Sequence, residues 1–485
     1  MIQSERLPET VEGLPNLCGS EALIEEAANR HGPHYLKESG IPFGSLRSAF
    51  AIALHMHQPL IPAAGHDVRT AGVISNLRYM MENQGIGDNH NAPVFQWCYK
   101  RMGEFIPQLE GEGKQPRIML DYSGCLLHGL REMGAGDVLD ALKRITLDRQ
   151  FARCVEWLGT AWGHAVAPST PVQDFRLHVS AWRHHFAAIF GLDALARVRG
   201  FSPPEMALPN HPDVFYEFVK TLKDAGYTWV IVQEHSVELP DGSGIRQPHL
   251  PHLLVARNSS GERLGIVAVI KTQGSDTKLV GQMQPYYEAK GVPRAWLGQR
   301  EVPGLTVQIA DGENGGVMMN EFPPKYLEVM REASGSDVPP VNVTEYLEHL
   351  ESAGVREEHL TEIQPVLQHR IWERFPKPEG PEAMEALIAE LSRADNRFHM
   401  EGGSWTNNLS WVKGYGDVLG PMERVSALFF DRTRGVDPSG QRYRNALFHL
   451  LISQTSCFRY WGSGVWTDYA RELCRRTEDI LHHDF

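Results

Sequence analysis

The chain has 485 residues, of which 42% are hydrophobic and 22% charged, a composition typical of a globular protein with a large core. Its net charge of −13, without any long run of Lys or Arg, argues against nucleic acid and anionic membranes as partners, because both require clustered positive charge. The polar, acidic first residues lack the pattern of a signal peptide, and no apolar run reaches the ~18 residues of a membrane span, so we expect a cytoplasmic protein.

The N-terminal segment, residues 1–47, is predicted to be a partly helical extension. It carries the first of six cysteines, which lie far apart along the chain and include no Cys-x-x-Cys pair. We therefore expect buried thiols, and neither a disulfide framework nor a zinc site. The six are Cys18, Cys98, Cys125, Cys154, Cys457 and Cys474.

Residues 48–325 are predicted to form a β/α unit. Short apolar runs rich in β-branched residues alternate there with longer amphipathic stretches, of which residues 137–158 are predicted to be helical throughout. Strands that alternate with helices form a parallel sheet with both faces covered, either closed as a barrel or open and doubly wound. The predicted strands are residues 49–54, 117–120, 229–232, 264–270 and 306–310.

The sequence LHMHQP at residues 54–59 follows the first predicted strand. Because residues i and i+2 of a strand face the same way, His55 and His57 are predicted to point together at the carboxyl end of the sheet, where β/α barrels build their sites. A buried pair that hydrogen-bonds to the backbone is the alternative. His164, in the Gly-rich stretch 157–168, is equally open to a catalytic or a core role.

Three further histidines, His178, His184 and His185, lie in a helical pattern at residues 176–186. We expect them on a packing or solvated face of the helix, outside any site.

Two acidic segments are candidates for catalysis. Glu205 stands between prolines in FSPPEMALPN, residues 201–210, and the prolines restrict the backbone there. Its carboxylate is either part of a rigid surface loop or a functional group held in a fixed position. Asp311 and Glu313 follow a predicted strand in VQIADGENGG, residues 307–316, although Asp-Gly is also common in ordinary tight turns. Glu205 and Asp311 together suggest a carboxylate pair of the kind that cleaves glycosidic bonds.

Residues 326–485 are predicted to form a helical unit without strands. Helical patterns occur at residues 325–334, 343–354, 381–397 and 423–434, and residues 443–481 indicate two helices around an aromatic break. Trp405, Trp411 and Trp461 lie in Gly-rich stretches of this unit, where their rings are suited either to stack on sugars or to hold the two units together.

Taken in series, four motifs resemble glycoside hydrolase family 57, which contains α-amylases, 4-α-glucanotransferases and α-glucan branching enzymes. They are HQP at residues 57–59, GFSPPE at 200–205, ADGE at 310–313 and SCFRYWG at 456–462, and the resemblance spans residues 48–470. It implies an incomplete, TIM-like (β/α)7 barrel followed by a helical bundle, and an α-glucan or maltooligosaccharide as substrate. It implies no cofactor and no metal.

The resemblance also implies roles for individual residues. Glu205 matches the catalytic nucleophile, Asp311 the proton donor, and Glu313 a supporting carboxylate. His57 and His164 match residues that contact the substrate. DYSGCLL, residues 121–127, matches a region that shapes the pocket wall, and SCFRYWG, with Trp461, one that the helical unit contributes to the cleft.

Two positions depart from the family's pattern. Ser202 stands where many members carry tryptophan, and Asn314-Gly315 where Phe-Gly is common. Both changes alter the pocket wall and leave the carboxylates in place. The sequence therefore leaves open which substrate is used, whether the reaction is hydrolysis, transfer or branching, and which oligomeric state the protein has.

Two rival functions fit part of the same pattern. His-x-His at the end of the first barrel strand also begins the site of metal-dependent amidohydrolases. His164 and Asp311 could complete such a site with His55 and His57, and the metal would activate water. Gln58-Pro59 and the setting of Glu205 have no role in that mechanism. The second rival is a non-catalytic glucan-binding protein on the same fold.

Overall fold

The computed structural model describes residues 7–485 with short gaps. The gaps are residues 31, 66, 273–276, 315–320, 407–408, 410–411, 413–415 and 460–462.

A closed barrel of seven parallel strands forms the centre of the fold. Each strand pairs with the next one along the chain, and β7 pairs with β1 to close the ring. The (β/α)7 barrel implied by the family resemblance is therefore confirmed. The strands are β1 Ser48–Met56, β2 Ile118–Tyr122, β3 Val155–Gly159, β4 Gly200–Phe201, β5 Trp229–Gln233, β6 Arg263–Lys271 and β7 Gly304–Asp311.

Helices surround the barrel and also make up most of the chain after it. The α-helices are Glu21–Ala28, Asn76–Glu82, Ala92–Lys100, Met102–Gly111, Gly124–Glu132, Gly136–Leu147, Arg149–Ala152, Val172–Phe190, Leu192–Leu195, Pro212–Asp224, Thr277–Gly281, Gln284–Ala289, Phe322–Ala333, Val343–Ser352, Gln368–Trp372, Pro381–Ala394, Gly416–Arg432, Gln441–Ser453 and Val465–His483. The last three share one apolar core with the helices that cover the barrel. Among the described residues, no helix is both long and apolar enough to cross a bilayer.

The alternation of side chains along each strand decides what fills the barrel. On β1, Phe50 and Ile52 pack outward against the helices, whereas Ala49, Ala51 and Ala53 pack inward with apolar residues of the other strands. The last inward position of a strand lies at the mouth of the barrel. That position holds a polar residue on five strands: His55, Asp121, Gln233, Lys271 and Asp311.

Two predictions about local structure are wrong. Residues 137–158 are not one helix: the helix ends at Leu147, a short helix spans Arg149–Ala152, and β3 follows at Val155–Gly159. Thr361–Pro365 is a strand inside the segment predicted to be all helical, and it pairs with the strand His252–Arg257 beside β6. Both strands are short, and the hydrogen-bonding partners that stabilise them are distant in sequence, so local periodicity does not reveal them.

The remaining short strands lie outside the seven-stranded barrel. They are Thr10–Val11, Leu14–Pro15, Leu60–Ala64, Gly72–Ser75, Val237–Glu238, Ala295–Leu297 and Arg300–Val302. All six cysteines are free; five are buried, as expected, and Cys457 is partly exposed. His178, His184 and His185 are buried in the helix Val172–Phe190, which confirms a packing face.

The amino end of the helix Val343–Ser352 closes the base of the barrel through buried charges. Arg117, which precedes β2, donates two hydrogen bonds to Glu345, at 2.8 and 2.9 Å. Glu156 of β3 accepts hydrogen bonds from the backbone N–H of Thr344, at 3.1 Å, and from its hydroxyl group. Burial, with a smaller contribution from Glu345, raises the pKa of Glu156 to about 7.

The substitution Glu156→Gln tests this contact at the base. The folded chain holds the proton of Glu156 to about pH 7, whereas the unfolded chain releases it near pH 4.5. Glu156 therefore lowers the free energy of unfolding as the pH rises through that window, by about 3 kcal/mol at about 1.4 kcal/mol per pH unit. The Gln variant keeps an acceptor for Thr344, and its free energy of unfolding does not fall with the titration of this side chain. Urea denaturation gives the free energy of unfolding of the variant minus that of the native protein. We expect this difference to be larger at pH 7.5 than at pH 4.5. An equal difference at the two pH values would contradict a raised pKa for Glu156.

Candidate active site

Three polar side chains stand in register across neighbouring strands at the mouth of the barrel. Asp311 of β7 is the strand partner of His55 on β1, and His55 is the strand partner of Asp121 on β2. His55 Nδ1 lies 2.8 Å from Asp121 Oδ2. Burial disfavours the charged form of His55, but the charge of Asp121 and this hydrogen bond, together with the charges of Asp311 and Glu313, raise its pKa to about 10. His55 is therefore a cation at neutral pH.

His57 and His164 form a stack with His55. The ring centroids are 4.6 Å apart between His55 and His164 and 4.2 Å apart between His57 and His164. The pKa of His57 is lowered well below its ordinary value by burial and by the charge of His55, and the pKa of His164 is lowered by burial and by the neighbouring histidines. The stack thus joins one imidazolium to two neutral rings.

The helical part of the chain holds these rings from the other side. His57 Nε2 lies 3.2 Å from the hydroxyl oxygen of Thr455, and His164 Nδ1 lies 2.6 Å from that of Ser456. Ser456 begins the SCFRYWG motif, so this motif reaches the site, as the family resemblance implies. Gly163 permits the approach, because a Cβ atom there would come within 2.5 Å of the Leu451 carbonyl oxygen.

The stacked geometry does not favour a metal centre built on these histidines. The nitrogen lone pairs of stacked rings point in parallel directions, whereas metal binding requires lone pairs that converge on one position. The Nδ1 atoms of His55, His57 and His164 are each within 2.8 Å of a side-chain oxygen, of Asp121, Ser123 and Ser456 respectively. Within the described ranges, no three His, Cys, Asp or Glu side chains are arranged to hold a metal ion.

Glu205 lies in a strained turn directly after β4. The turn Pro204–Met206 places Glu205 at φ 60° and ψ 20°, and Met206 also has a positive φ, of 50°. Left-handed backbone at a residue other than glycine costs of the order of 1–3 kcal/mol and persists only where the surroundings impose it. Here Pro203 and Pro204 restrict the chain, and the backbone N–H of Trp405 donates to the Glu205 carbonyl oxygen at 3.1 Å. Glu205 Oε1 lies 3.8 Å from His164 Nδ1.

Glu313 follows Asp311 in the turn that ends β7. One of its carboxyl oxygens accepts hydrogen bonds from the backbone N–H of His57, at 3.1 Å, and from the Tyr99 hydroxyl, at 3.2 Å. Burial and then the charge of Asp311 raise the pKa of Glu313 to about 7. The other carboxylate, Asp311, accepts from the Asn314 amide at 3.3 Å. The two carboxyl groups of this turn therefore differ in their surroundings.

These residues surround a cleft at the mouth of the barrel with a cavity volume of about 60 Å³. Four residues predicted from the sequence line it: His55, Glu205, Asp311 and Trp405. His57, His164 and Glu313 adjoin the cleft through His55 and Glu205 and do not line it. The full lining is His55, Asp121, Ser202, Pro203, Glu205, Met206, Lys271, Ile309, Ala310, Asp311 and Trp405. Trp411 and Trp461 lie outside the described residues.

Sequence reasoning missed Lys271 and gave Asp121 no role of its own, although a signal for both existed. Each is the last inward position of its strand, two residues after a buried apolar residue, Val269 and Met119 respectively. Thr455 and Ser123 carried no local signal, because hydroxyl residues are common in every kind of loop. Ser202, which replaces the family's tryptophan, is a buried part of the cleft wall.

Residues 51–267 match a sequence model described as Glycosyl hydrolase family 57. Over these residues the chain is similar in sequence to that family. The family 57 match contains His55, His57, His164 and Glu205, and it ends before Asp311. No curated protein matches the chain in sequence.

Two solved structures share the fold of this chain over most of its length. The 4-α-glucanotransferase from Thermococcus litoralis aligns with a TM-score of 0.54 at 14% identity, covering 91% of this chain and 60% of that one. The α-amylase AmyC from Thermotoga maritima aligns with a TM-score of 0.52 at 11% identity, covering 90% of this chain and 93% of that one. At such low identity the likeness shows the fold alone. This chain spans 60% of the glucanotransferase's length.

The backbone strain at Glu205 predicts that glycine is more stable than alanine at this position, the reverse of the order at an ordinary helical position. Glu205→Gly and Glu205→Ala remove the same carboxylate, but only glycine adopts φ 60° without steric cost, so we expect the Gly variant to be more stable by about 1 kcal/mol. The matched control is the exposed Glu373, at φ −59°, where alanine should be the more stable by about 0.4–1 kcal/mol. Urea denaturation of the four variants measures both differences. Equal preferences at the two positions would show that Glu205 is unstrained.

Proposed function

We propose that this protein is a retaining glycoside hydrolase or transglycosylase that acts on α-1,4-glucans. The observation that carries the proposal is that Glu205 and Asp311 line the same cleft at the carboxyl end of a family 57 barrel. Two carboxyl groups on one cleft are the minimum that glycosidic bond cleavage requires. The names of the structural neighbours, a 4-α-glucanotransferase and an α-amylase, support an α-glucan as the substrate.

The reaction runs in two displacements. In the first, the Glu205 carboxylate attacks the anomeric carbon while Asp311 donates a proton to the leaving glycosidic oxygen, which gives a covalent β-glucosyl–enzyme. In the second, Asp311 takes a proton from the acceptor, whose oxygen displaces Glu205 and restores the α configuration. Water as acceptor gives hydrolysis, a sugar 4-hydroxyl gives chain transfer, and a 6-hydroxyl gives a branch. A carboxyl separation of ~5–5.5 Å is expected for this mechanism.

The surrounding groups suit this chemistry. His55 brings a positive charge beside the strand that carries Asp311, with its orientation held by Asp121. Glu313, with its pKa near 7, carries a proton for part of the neutral range and so limits the negative charge around Asp311. His57 and His164 are neutral rings that we propose as contacts to sugar hydroxyls, and Trp405 is a stacking surface in the cleft wall.

We further propose a division of labour along the chain. Residues 48–325 form the catalytic barrel, and residues 326–485 form a helical unit that completes the cleft, since Trp405, Thr455 and Ser456 come from it. Trp411 and Trp461 are proposed as further sugar contacts from the same unit. The remaining segment, residues 1–47, is an N-terminal extension. Cytoplasmic glycogen or starch is the polymer that we propose as the natural source of substrate.

Removing either carboxylate should abolish turnover and leave binding intact. Asp311→Asn should lower kcat on maltohexaose by roughly 10²- to 10⁴-fold, the usual contribution of a general acid–base group, and Glu205→Gln should lower it further. Azide should rescue the truncated variants with different products: an inverted glucosyl azide for Glu205→Ala and a retained one for Asp311→Ala. The control is Glu373→Gln at an exposed position, which should leave kcat unchanged. Full activity of Glu205→Gln would refute the nucleophile assignment.

The product pattern and a chelator separate the remaining functions. Incubation with amylose should give shortened, elongated or α-1,6-branched chains, which identify hydrolysis, transfer and branching respectively. Activity should survive dialysis against EDTA, since no step of the mechanism uses a metal. Activity that is lost with EDTA and restored by a divalent ion would favour the amidohydrolase chemistry instead. Glucan binding without turnover by the native protein would point to a non-catalytic member of the fold.

A further inference from the structure

A buried lysine lines the same cleft as the two carboxylates. Lys271 is the last residue of β6, and it is only 3% exposed. Val267 and Val269 precede it on the same face of the strand and pack inside the barrel, so alternation directs Lys271 into the mouth, where it lines the cleft together with Glu205 and Asp311.

The strand that carries Lys271 is held on both sides. Lys271 is the strand partner of Gln233 on β5 and of Val307 on β7. The Gln233 amide donates to the Lys271 carbonyl oxygen at 3.4 Å, and the Gln308 amide donates to the next carbonyl, that of Thr272, at 2.7 Å. The backbone from which the lysine side chain extends is thus fixed between the strand of Asp311 and the strand next to the Glu205 turn.

The chemistry of the cleft wall gives this lysine a distinct role. The carboxylates that line the cleft accept hydrogen bonds, whereas His55 is bound to Asp121 through its Nδ1 atom. Among the described lining residues, Lys271 is the one that carries an ammonium group, with three N–H donors and no acceptor. Burial lowers the pKa of Lys271 to about 8, so the group is charged at neutral pH. Lys271 can therefore donate to the hydroxyl oxygens of a sugar ring in the cleft, as the protonated ring of His55 can through its Nε2 atom.

We propose that Lys271 is a substrate-positioning and specificity-determining residue, whose Nζ donates hydrogen bonds to hydroxyl oxygens of the sugar unit that lies between Glu205 and Asp311. This inference rests on the proposed function. A donor placed to reach a sugar hydroxyl discriminates against sugars that lack this hydroxyl, because the hydrogen bond to it is then lost. Lys271 therefore selects the hexose by the position of its hydroxyl groups.

Binding and turnover of a defined substrate test the role of Lys271. In the Glu205→Gln background, which blocks turnover, Lys271→Met should raise the Kd of maltohexaose in calorimetry by roughly 10- to 100-fold, the worth of a hydrogen bond to a charged donor. Lys271→Arg restores a charged donor and should recover part of that loss. Lys377→Met at an exposed position is the matched control and should leave Kd unchanged. In the active protein, Lys271→Met should raise KM by a similar factor.

Single-deoxy maltooligosaccharides then identify the hydroxyl. The analogue that lacks the contacted hydroxyl should bind Lys271→Met as well as the parent sugar does, while it binds the protein with native Lys271 roughly 10-fold more weakly. Circular dichroism and the thermal midpoint establish that the variants are folded, and Lys271→Gln repeats the measurement with a polar side chain should the Met variant not fold.

Different results overturn different claims. If maltohexaose binds the Glu205→Gln protein and binding is unchanged by either Lys271 substitution, the positioning role is wrong and the proposed function stands. A lower kcat with unchanged KM and Kd would also refute the role, because it would show that Lys271 acts on the carboxylates and not on the sugar. If neither the native protein nor the Glu205→Gln variant binds any glucan, both proposals fall together.

Discussion

The pairing that closes the barrel is the constraint on which the rest of the structure depends. Strand β6 pairs with both β5 and β7, and β7 pairs with β1. The seven parallel strands therefore form a ring, and all of their carboxyl ends meet at one mouth. Closure also divides every strand into residues that face the helices and residues that face the lumen. Apolar side chains fill most of the lumen. Polar inward residues therefore lie at its two ends, Glu156 at the base and the five mouth residues at the carboxyl ends of their strands.

Charge at this mouth is arranged so that neighbouring groups keep different protonation states. Asp121 keeps His55 positive, and the charge on His55 in turn favours neutral forms of His57 and His164 in the same stack. Burial and the charge of Asp311, two residues away, raise the pKa of Glu313 and so favour its protonated form. The C-terminal part of the chain takes part through Thr455 and Ser456, whose hydroxyl groups lie within hydrogen-bonding distance of the neutral rings. The site is therefore shared between distant parts of the chain.

Much of the fold could be predicted from local pattern, and the failures have a common cause. The five predicted strands all overlap strands of the barrel, because each is an apolar run bounded by turn residues. Residues 137–158, which include most of the strand Val155–Gly159, were predicted to be helical, and Thr361–Pro365 lies in a unit predicted to contain no strand. Both strands were missed because they are stabilised by hydrogen bonds to segments far away in sequence. The same limit applies to the site: Glu205 and Asp311 stand out in their motifs, whereas Lys271 becomes conspicuous only when the inward face of β6 is known.

The sequence by itself determined the class of fold, the order of the motifs and the identity of the two candidate carboxylates, since these depend on periodicity and on residue type within short windows. Only the tertiary structure decided which residues share the cleft. It placed His55, Trp405 and Lys271 on the lining, and it placed His57, His164 and Glu313 beside it. It also showed that Glu205 occupies a left-handed backbone conformation. The physical reason is that register, ring closure and the approach of the C-terminal helices relate residues hundreds of positions apart, and no local pattern encodes those distances.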